Sequence, residues 1–199
     1  MIKALMFDIG GVVVIEPHDS WKNIFSELGP PAGINPRVLV SEFLSSMKSV
    51  QTGNMTLLEF YRKFTGSPES LVKKHLEIYM KLSGRYDPEM LGLIKKLKRK
   101  FVVACFTNTE PELTGLHRKR GLFARFDRAF ISTEMGLRKP DAAAYRHVIK
   151  ELGISPEEGV FIDNSGENVN AAEKAGLHGI IYTDMSKLKK DLLRCGVNI

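Results

Sequence analysis

Only two cysteines, Cys105 and Cys195, stand in the 199 residues, and they form neither a metal-binding spacing nor a disulfide framework. A disulfide-stapled secreted scaffold is thereby excluded, and a reducing, cytoplasmic setting is expected. Cys105 lies inside an apolar run and reads as a small buried hydrophobe. No apolar run approaches the ~20 residues that a bilayer crossing needs. The sequence opens on a strand pattern, so no signal peptide is expected, and without a spanning run no membrane association is expected. There is one tryptophan, and no zinc-finger, recognition-helix or aromatic–basic motif. The net charge of +6 therefore does not read as a nucleic-acid signature. Its densest cluster, "KKLKRK" from Lys95 to Lys100, ends a helical pattern, where cations suit the helix dipole. A mildly positive surface also suits a phosphorylated small molecule.

What is present is an ordinary globular composition, 43% hydrophobic and 26% charged, long enough for one well-cored domain or a core with a small insertion. Short apolar runs recur: "ALMF" (4–7), "VVVI" (12–15), "FVVACF" (101–106), "AFIS" (129–132), "GVFI" (159–162) and "GIIY" (179–182). Between the later ones lie helical patterns, "PEMLGLIKKLKRK", "DAAAYRHVIKELG" and "ENVNAAEKAG", the last two ending in Gly153 and Gly176 as helix-stopping glycines. This alternation predicts an α/β fold, a doubly wound, Rossmann-like parallel sheet covered on both faces. The interval from about Asp19 to Arg85 has no convincing strand. It carries four amphipathic helical patterns: "SWKNIFSEL", "PRVLVSEFLSSM", "TLLEFYRKF" and "PESLVKKHLEIYMKL". A core of residues 1–16 and 86–199 with a small all-α insertion at 17–85 is the expected organisation.

Four pieces fall at the C-terminal ends of the predicted strands. Asp8 ends "ALMF" and is followed by Gly10 and Gly11; Thr107 and Asn108 end "FVVACF"; Lys139 precedes a helix in "GLRKP"; Asp163 and Asn164 end "GVFI". Each has an ordinary alternative: a turn at Asp8, a helix cap at Thr107–Asn108, a solvated loop lysine, a turn at Asp163–Asn164. In a doubly wound sheet, however, those ends converge on one crevice. A carboxylate nucleophile, a hydroxyl, a lysine and an acid–amide pair suit phosphoryl transfer, which demands charge neutralisation and in-line positioning.

The runs "FDIGGVV", "FTNT", "GLRKP" and "FIDNSGENVNAA" resemble the four successive motifs of the haloacid dehalogenase (HAD) superfamily. The helical insertion sits where that superfamily carries its C1-type cap. The run "STEMGLRKPDAAAYRHV", and a glycine two residues after the nucleophile, are similar to α-D-glucose-1-phosphate phosphatase-like members. The resemblance implies a hydrolase in which Asp8 attacks phosphorus to form an aspartyl-phosphate. It further implies that Thr107 hydrogen-bonds the phosphoryl oxygens and that Lys139 neutralises charge. Gly10, Gly11 and Asn108 would complete the substrate-binding loops, Asn108 chiefly by shaping its own. Mg²⁺ would be held by Asp8, the Gly10 carbonyl, Asp163 and Asn164, an all-oxygen set. Arg138 would contact phosphate or form a structural ion pair.

The chain departs from the superfamily pattern at two positions. Most phosphatases of the superfamily have a second aspartate where Gly10 stands, which protonates the leaving group and later activates water. General acid–base help is worth ~10²–10⁴ in rate. An easy leaving group, or a proton from Glu16 or His18, are the ways around its absence. The second departure is Asn164, where the usual residue is an acid, with Glu167 as a nearby substitute. Two readings follow: a phosphatase acting on a small phosphorylated metabolite such as a sugar 1-phosphate, or a weakly active or inactive HAD-like protein that binds a phosphorylated ligand or a protein partner. A metal-free dehalogenase fits less well, because Asp163 retains the metal acid. Substrate choice would lie with insertion residues such as Trp21, Phe43, Met47, Lys48 and Tyr61.

Overall fold

The computed structural model describes residues 1–15, 35–65, 69, 70, 73, 77 and 85–198. Its strands are β1 (Ala4–Phe7), β2 (Val102–Thr107), β3 (Arg128–Ile131), β4 (Gly159–Asp163) and β5 (His178–Ile181). They pair in the order β3-β2-β1-β4-β5, every pair parallel. The helices are α1 (Pro36–Gln51), α2 (Leu57–Thr65), α3 (Pro88–Leu97), α4 (Pro111–Lys119), α5 (Ser132–Met135), α6 (Ala142–Leu152), α7 (Gly166–Lys174) and α8 (Met185–Arg194). Among the described residues no helix is long and apolar enough to cross a membrane.

Alternation along the three central strands builds the two layers. Leu5, Phe7, Val103, Cys105, Val160 and Ile162 face one core with residues of α3 and α8. Met6, Ala104, Phe106 and Phe161 face the other, with Ala144, Tyr145 and Val148 of α6 and Ala172 of α7. All of these side chains are sealed from solvent, which is why the strands read as continuous apolar runs. Fully burying one Leu, Ile or Phe is worth ~1.5–3 kcal/mol, so this double core carries most of the stability. Helix starts follow local chemistry: Asp87 accepts from Glu89 N (2.8 Å) and Met90 N (3.2 Å) ahead of Pro88, and Asp184 accepts from Lys187 N (2.8 Å). Gly153 closes α6 at φ 65°; Gly176, at φ 91°, lies one residue beyond the Ala175 cap of α7.

The run "VVVI" is not a sheet strand. The N–H groups of Val12, Val13 and Val14 all turn back onto the Ile9 carbonyl, at 3.4, 2.9 and 2.8 Å. The valines are buried in the α3-side core, so their apolarity serves packing rather than a ladder. Ile15 N then donates to Arg85 O (2.8 Å), and Asp87 N donates to Val13 O (2.9 Å). The chain thus leaves the core at residue 15 and returns beside the same point at residue 85. Of the intervening helical patterns, two correspond to α1 and α2. The patterns "SWKNIFSEL" and "PESLVKKHLEIYMKL" fall wholly or largely outside the described residues.

Helices α1 and α2 have their own apolar cluster of Leu39, Phe43, Val50, Leu57, Phe60 and Tyr61. They also touch the core directly. Glu112, in the first turn of α4, accepts from Leu57 N (3.2 Å) and Leu58 N (3.3 Å) at the start of α2. Lys48 Nζ lies 3.5 Å from Asp141 Oδ2. A carboxylate at a helix N-terminus fills orphan donors and suits the positive end of the dipole.

Candidate active site

Strand order places the site. From β1 the chain runs outward through β2 and β3, then crosses to β4 and β5 on the other side, so the C-terminal end of β1 is the topological switch point. Asp8 follows β1 there, and its N–H donates to Ile162 O (2.8 Å), which keeps it in register with Asp163 at the end of β4. Lys139 arrives from the loop after β3 and α5. Its Nζ lies 2.8 Å from Asp8 Oδ1 and 2.6 Å from Asp163 Oδ2. Lys139 is 1% exposed, Asp163 0% and Asp8 9%. One buried ammonium serves two carboxylates, so removing Lys139 would strand both acids, whereas losing Asp8 leaves the Lys139–Asp163 pair balanced. The Phe106 and Phe161 rings lie 5.3 and 5.1 Å from the ammonium and wall it in.

The loop residues hold that triad in place. Asn108 donates from Nδ2 to Lys139 O (2.8 Å) and accepts at Oδ1 from Lys139 N (2.9 Å). Both ends of its amide thus clamp the lysine backbone. Thr107 is buried at the tip of β2, its hydroxyl 3.3 Å from Asn108 O. Neither residue is the cap of α4, whose N-cap is Glu110. Asp163 is held from three directions: Oδ1 accepts from Ser165 N (2.8 Å), and Oδ2 accepts from Asn168 Nδ2 (3.0 Å) as well as from Lys139.

Asn168 was not among the residues picked out from the sequence. Its signal was the Ser165-x-x-Asn168 spacing at a helix start, since Ser165 Oγ accepts from Asn168 N (3.4 Å). Its carbonyl accepts from Tyr145 Oη (2.8 Å), and the buried Tyr145 ring packs edge-on against Phe106 and Phe161.

The two glycines differ. Gly11 has φ 68°, and its N–H donates to Val14 O (3.0 Å). A Cβ there would lie 2.2 Å from Asn164 Nδ2, so the space left by the missing side chain is filled by that amide. Gly10 stands two residues past Asp8 and forms an isolated bridge with Val14. Glu167 is exposed on the first turn of α7. Arg138 makes no ion pair among the described residues, and its Nε is buried without a hydrogen-bond partner. Glu16, His18 and Trp21 lie outside the described residues.

Burial pushes the Asp8 carboxyl above its ordinary pKa; the Lys139 ammonium opposes this, and the Asp163 carboxylate adds to it. Burial, helped by the Asp8 charge, pushes the Cys105 thiol up to about 12, which leaves it an inert core residue. Among the described residues no three His, Cys, Asp or Glu side chains gather in a metal-binding group. The donors available at the strand tips are two carboxylates, an amide and backbone carbonyls, a hard-oxygen set.

The profile of haloacid dehalogenase-like hydrolases matches residues 2–176. The chain belongs to that family. It is similar to D-ribitol-5-phosphate phosphatase of Bacteroides thetaiotaomicron, 24% identical over 186 residues, 88% of this chain and 89% of that one. It is 37% identical over 102 residues to the sesquiterpene phosphatase astK of Aspergillus oryzae, 50% of this chain and 52% of that one. The chain spans between 36% and 52% of the length of the first three curated relatives it matches. Among solved structures, a HAD family enzyme from B. thetaiotaomicron in complex with magnesium and inorganic phosphate superimposes with a TM-score of 0.77. Identity there is 23%, covering 94% of this chain and 99% of that one, a likeness of fold. The five-stranded parallel sheet, flanked by helices on both faces, is the HAD fold.

Proposed function

We propose that the chain is a Mg²⁺-dependent phosphatase of small phosphorylated metabolites, with sugar phosphates as the leading class. The observation that carries the reading is the Lys139 ammonium held between Asp8 and Asp163 at the switch point. Supporting it are relatives named as phosphatases and the structural neighbour that holds magnesium and phosphate. In this reading Asp8 attacks phosphorus, the P–O bond to the leaving group breaks, and an aspartyl-phosphate forms; water then releases phosphate and restores Asp8. Thr107 hydrogen-bonds the equatorial oxygens and Lys139 balances the charge of the transferring group. Asn108 keeps Lys139 aimed, and Asn168 and Ser165 do the same for Asp163.

Asp8, the Gly10 carbonyl, Asp163 and Asn164 are the residues that would hold Mg²⁺. Oxygen donors with room for water and a substrate phosphate suit that ion. Bound there, it would neutralise phosphoryl charge. Helices α1 and α2 belong to a cap over the site, in which Lys48 and the ring-rich cluster around Phe43 and Tyr61 bear on substrate choice. Gly10 and Asn164 favour a second reading, a slow or inactive member that binds phosphorylated ligands without turning them over. Phosphate release from p-nitrophenyl phosphate and a panel of phosphorylated metabolites, with and without Mg²⁺, separates the two. Metal-dependent turnover lost in Asp8→Asn supports the phosphatase, and folded protein without turnover supports the second.

A further inference from the structure

The end of the sheet opposite Asp8 carries a different chemistry. Residues 95–128 contain ten of the chain's 29 lysines and arginines but only three of its 23 acids, so its positive charge is concentrated there. The fold gathers these cations, because α3 and α4, each ending in a basic run, both pack against the 3-10 turn Phe123–Arg125. A cavity of about 530 Å³ opens at this junction, lined by Leu91, Ile94, Lys95, Lys98, Arg99 and Arg125.

Lys98 is neutralised by Asp127 Oδ1 at 3.1 Å, and the other oxygen of Asp127 accepts from Val103 N at 2.9 Å. Among the described residues, Lys95, Arg99 and Arg125 have no carboxylate partner. A helix dipole accounts for cations along the last turn of α3. It does not account for Arg125, which comes from another element, nor for the half-buried Leu91 that lies among the charges.

We propose that this cavity binds a small anionic amphiphile. Its phosphate, sulfonate or carboxylate head would be held by Lys95, Arg99 and Arg125, with the apolar body lying on Leu91 and the aliphatic stem of Lys98. The volume falls within the roughly 300–1,000 Å³ usual for small-molecule sites. Among the described residues no aromatic side chain lines the cavity, so nucleobases would find no stacking platform there. The site is separate from the phosphatase centre and does not depend on it.

The test is isothermal titration of the full chain in EDTA with decanesulfonate below its micelle threshold. Parallel titrations use methanesulfonate, which has the same head without the body, and phosphatidylglycerol vesicles. One-to-one binding of decanesulfonate is expected, at least about tenfold tighter than methanesulfonate and weakened by salt. Lys95→Glu/Arg99→Glu should lose at least about tenfold in affinity, and Asp8→Asn should lose none. Circular dichroism checks the fold, and Arg99→Gln, a single exposed change, replaces the double variant if that one fails to fold. The proposal is overturned by any of four results: no saturable binding, equal affinity in the charge-altered variant, loss of binding in Asp8→Asn, or adsorption to vesicles without one-to-one binding in solution.

Discussion

Lys139 and Asp163 meet at 2.6 Å with both side chains sealed from solvent, and the same ammonium reaches Asp8 at 2.8 Å. Stability and chemistry therefore separate differently at Lys139 and at Asp8. Lys139→Met leaves two buried carboxylates facing each other and should cost about 3–5 kcal/mol of stability along with phosphate release. Asp8→Asn removes a carboxylate that burial already disfavours and keeps the Lys139–Asp163 bridge. It should abolish phosphate release with a denaturation midpoint close to or above that of the parent. Denaturant unfolding of both variants checks this. A Lys139→Met protein as stable as the parent would show the bridge to be unimportant to folding.

Gly11 and Asn164 should be energetically coupled. Gly11→Ala forces a side chain into φ 68° and toward the Asn164 amide, and should destabilise by about 1–3 kcal/mol. Adding Asn164→Ala relieves the contact but not the backbone strain. Roughly 1 kcal/mol should then be recovered relative to additivity. Strictly additive losses would mean that the glycine is required for its backbone alone.

His117 supplies a pH dependence remote from the site. It is buried against Phe123, with Tyr86 Oη 3.1 Å from its Nδ1, and burial pulls its pKa down to about 4. The unfolded chain takes up that proton near pH 6.5, whereas the folded protein resists it until about pH 4. The contribution of the neutral ring is therefore complete above pH 6.5 and lost as the pH falls toward 4. The loss is on the order of 2 kcal/mol once solvent screening is allowed for. Unfolding free energies at pH 7 and pH 4.5, in the parent and in His117→Phe, measure it. An equal pH slope in the two proteins would remove His117 as the source.

Much of the architecture was readable because burial leaves a mark on composition. Strands β1, β2 and β4 are covered on both faces, so they appear as unbroken apolar runs, and Asp8, Thr107 and Asp163 stand out where those runs stop. The edge strands β3 and β5 are partly exposed and give a weaker signal. "VVVI" carried the same composition without the same structure, because burial in a turn under α3 selects apolar residues as well as a strand does. The clamp from Asn108 to Lys139 spans 31 residues of sequence and is a tertiary fact. The bond from Asn168 to Asp163 is local, yet "SGEN" looks like any helix start until the aspartate is seen to need a third donor.

Gly10 should show itself as a steep dependence on leaving group. With no acid at that position, attack by Asp8 should be fast on aryl phosphates and sugar 1-phosphates and slow on simple alkyl phosphates and sugar 6-phosphates. Single-turnover rates across a series of phosphate monoesters give the slope, which should flatten in Gly10→Asp. A flat plot in the parent would mean that another group supplies the proton.

The most direct measurement is on Asp8 itself. A radiolabelled phosphate monoester is mixed with excess protein and Mg²⁺, quenched in acid within milliseconds, and digested. The chemistry proposed here predicts a hydroxylamine-labile label on the peptide containing Asp8, formed before free phosphate appears and absent in Asp8→Asn. Phosphate release without label on that peptide, or turnover near the parent rate in Asp8→Asn, would contradict it.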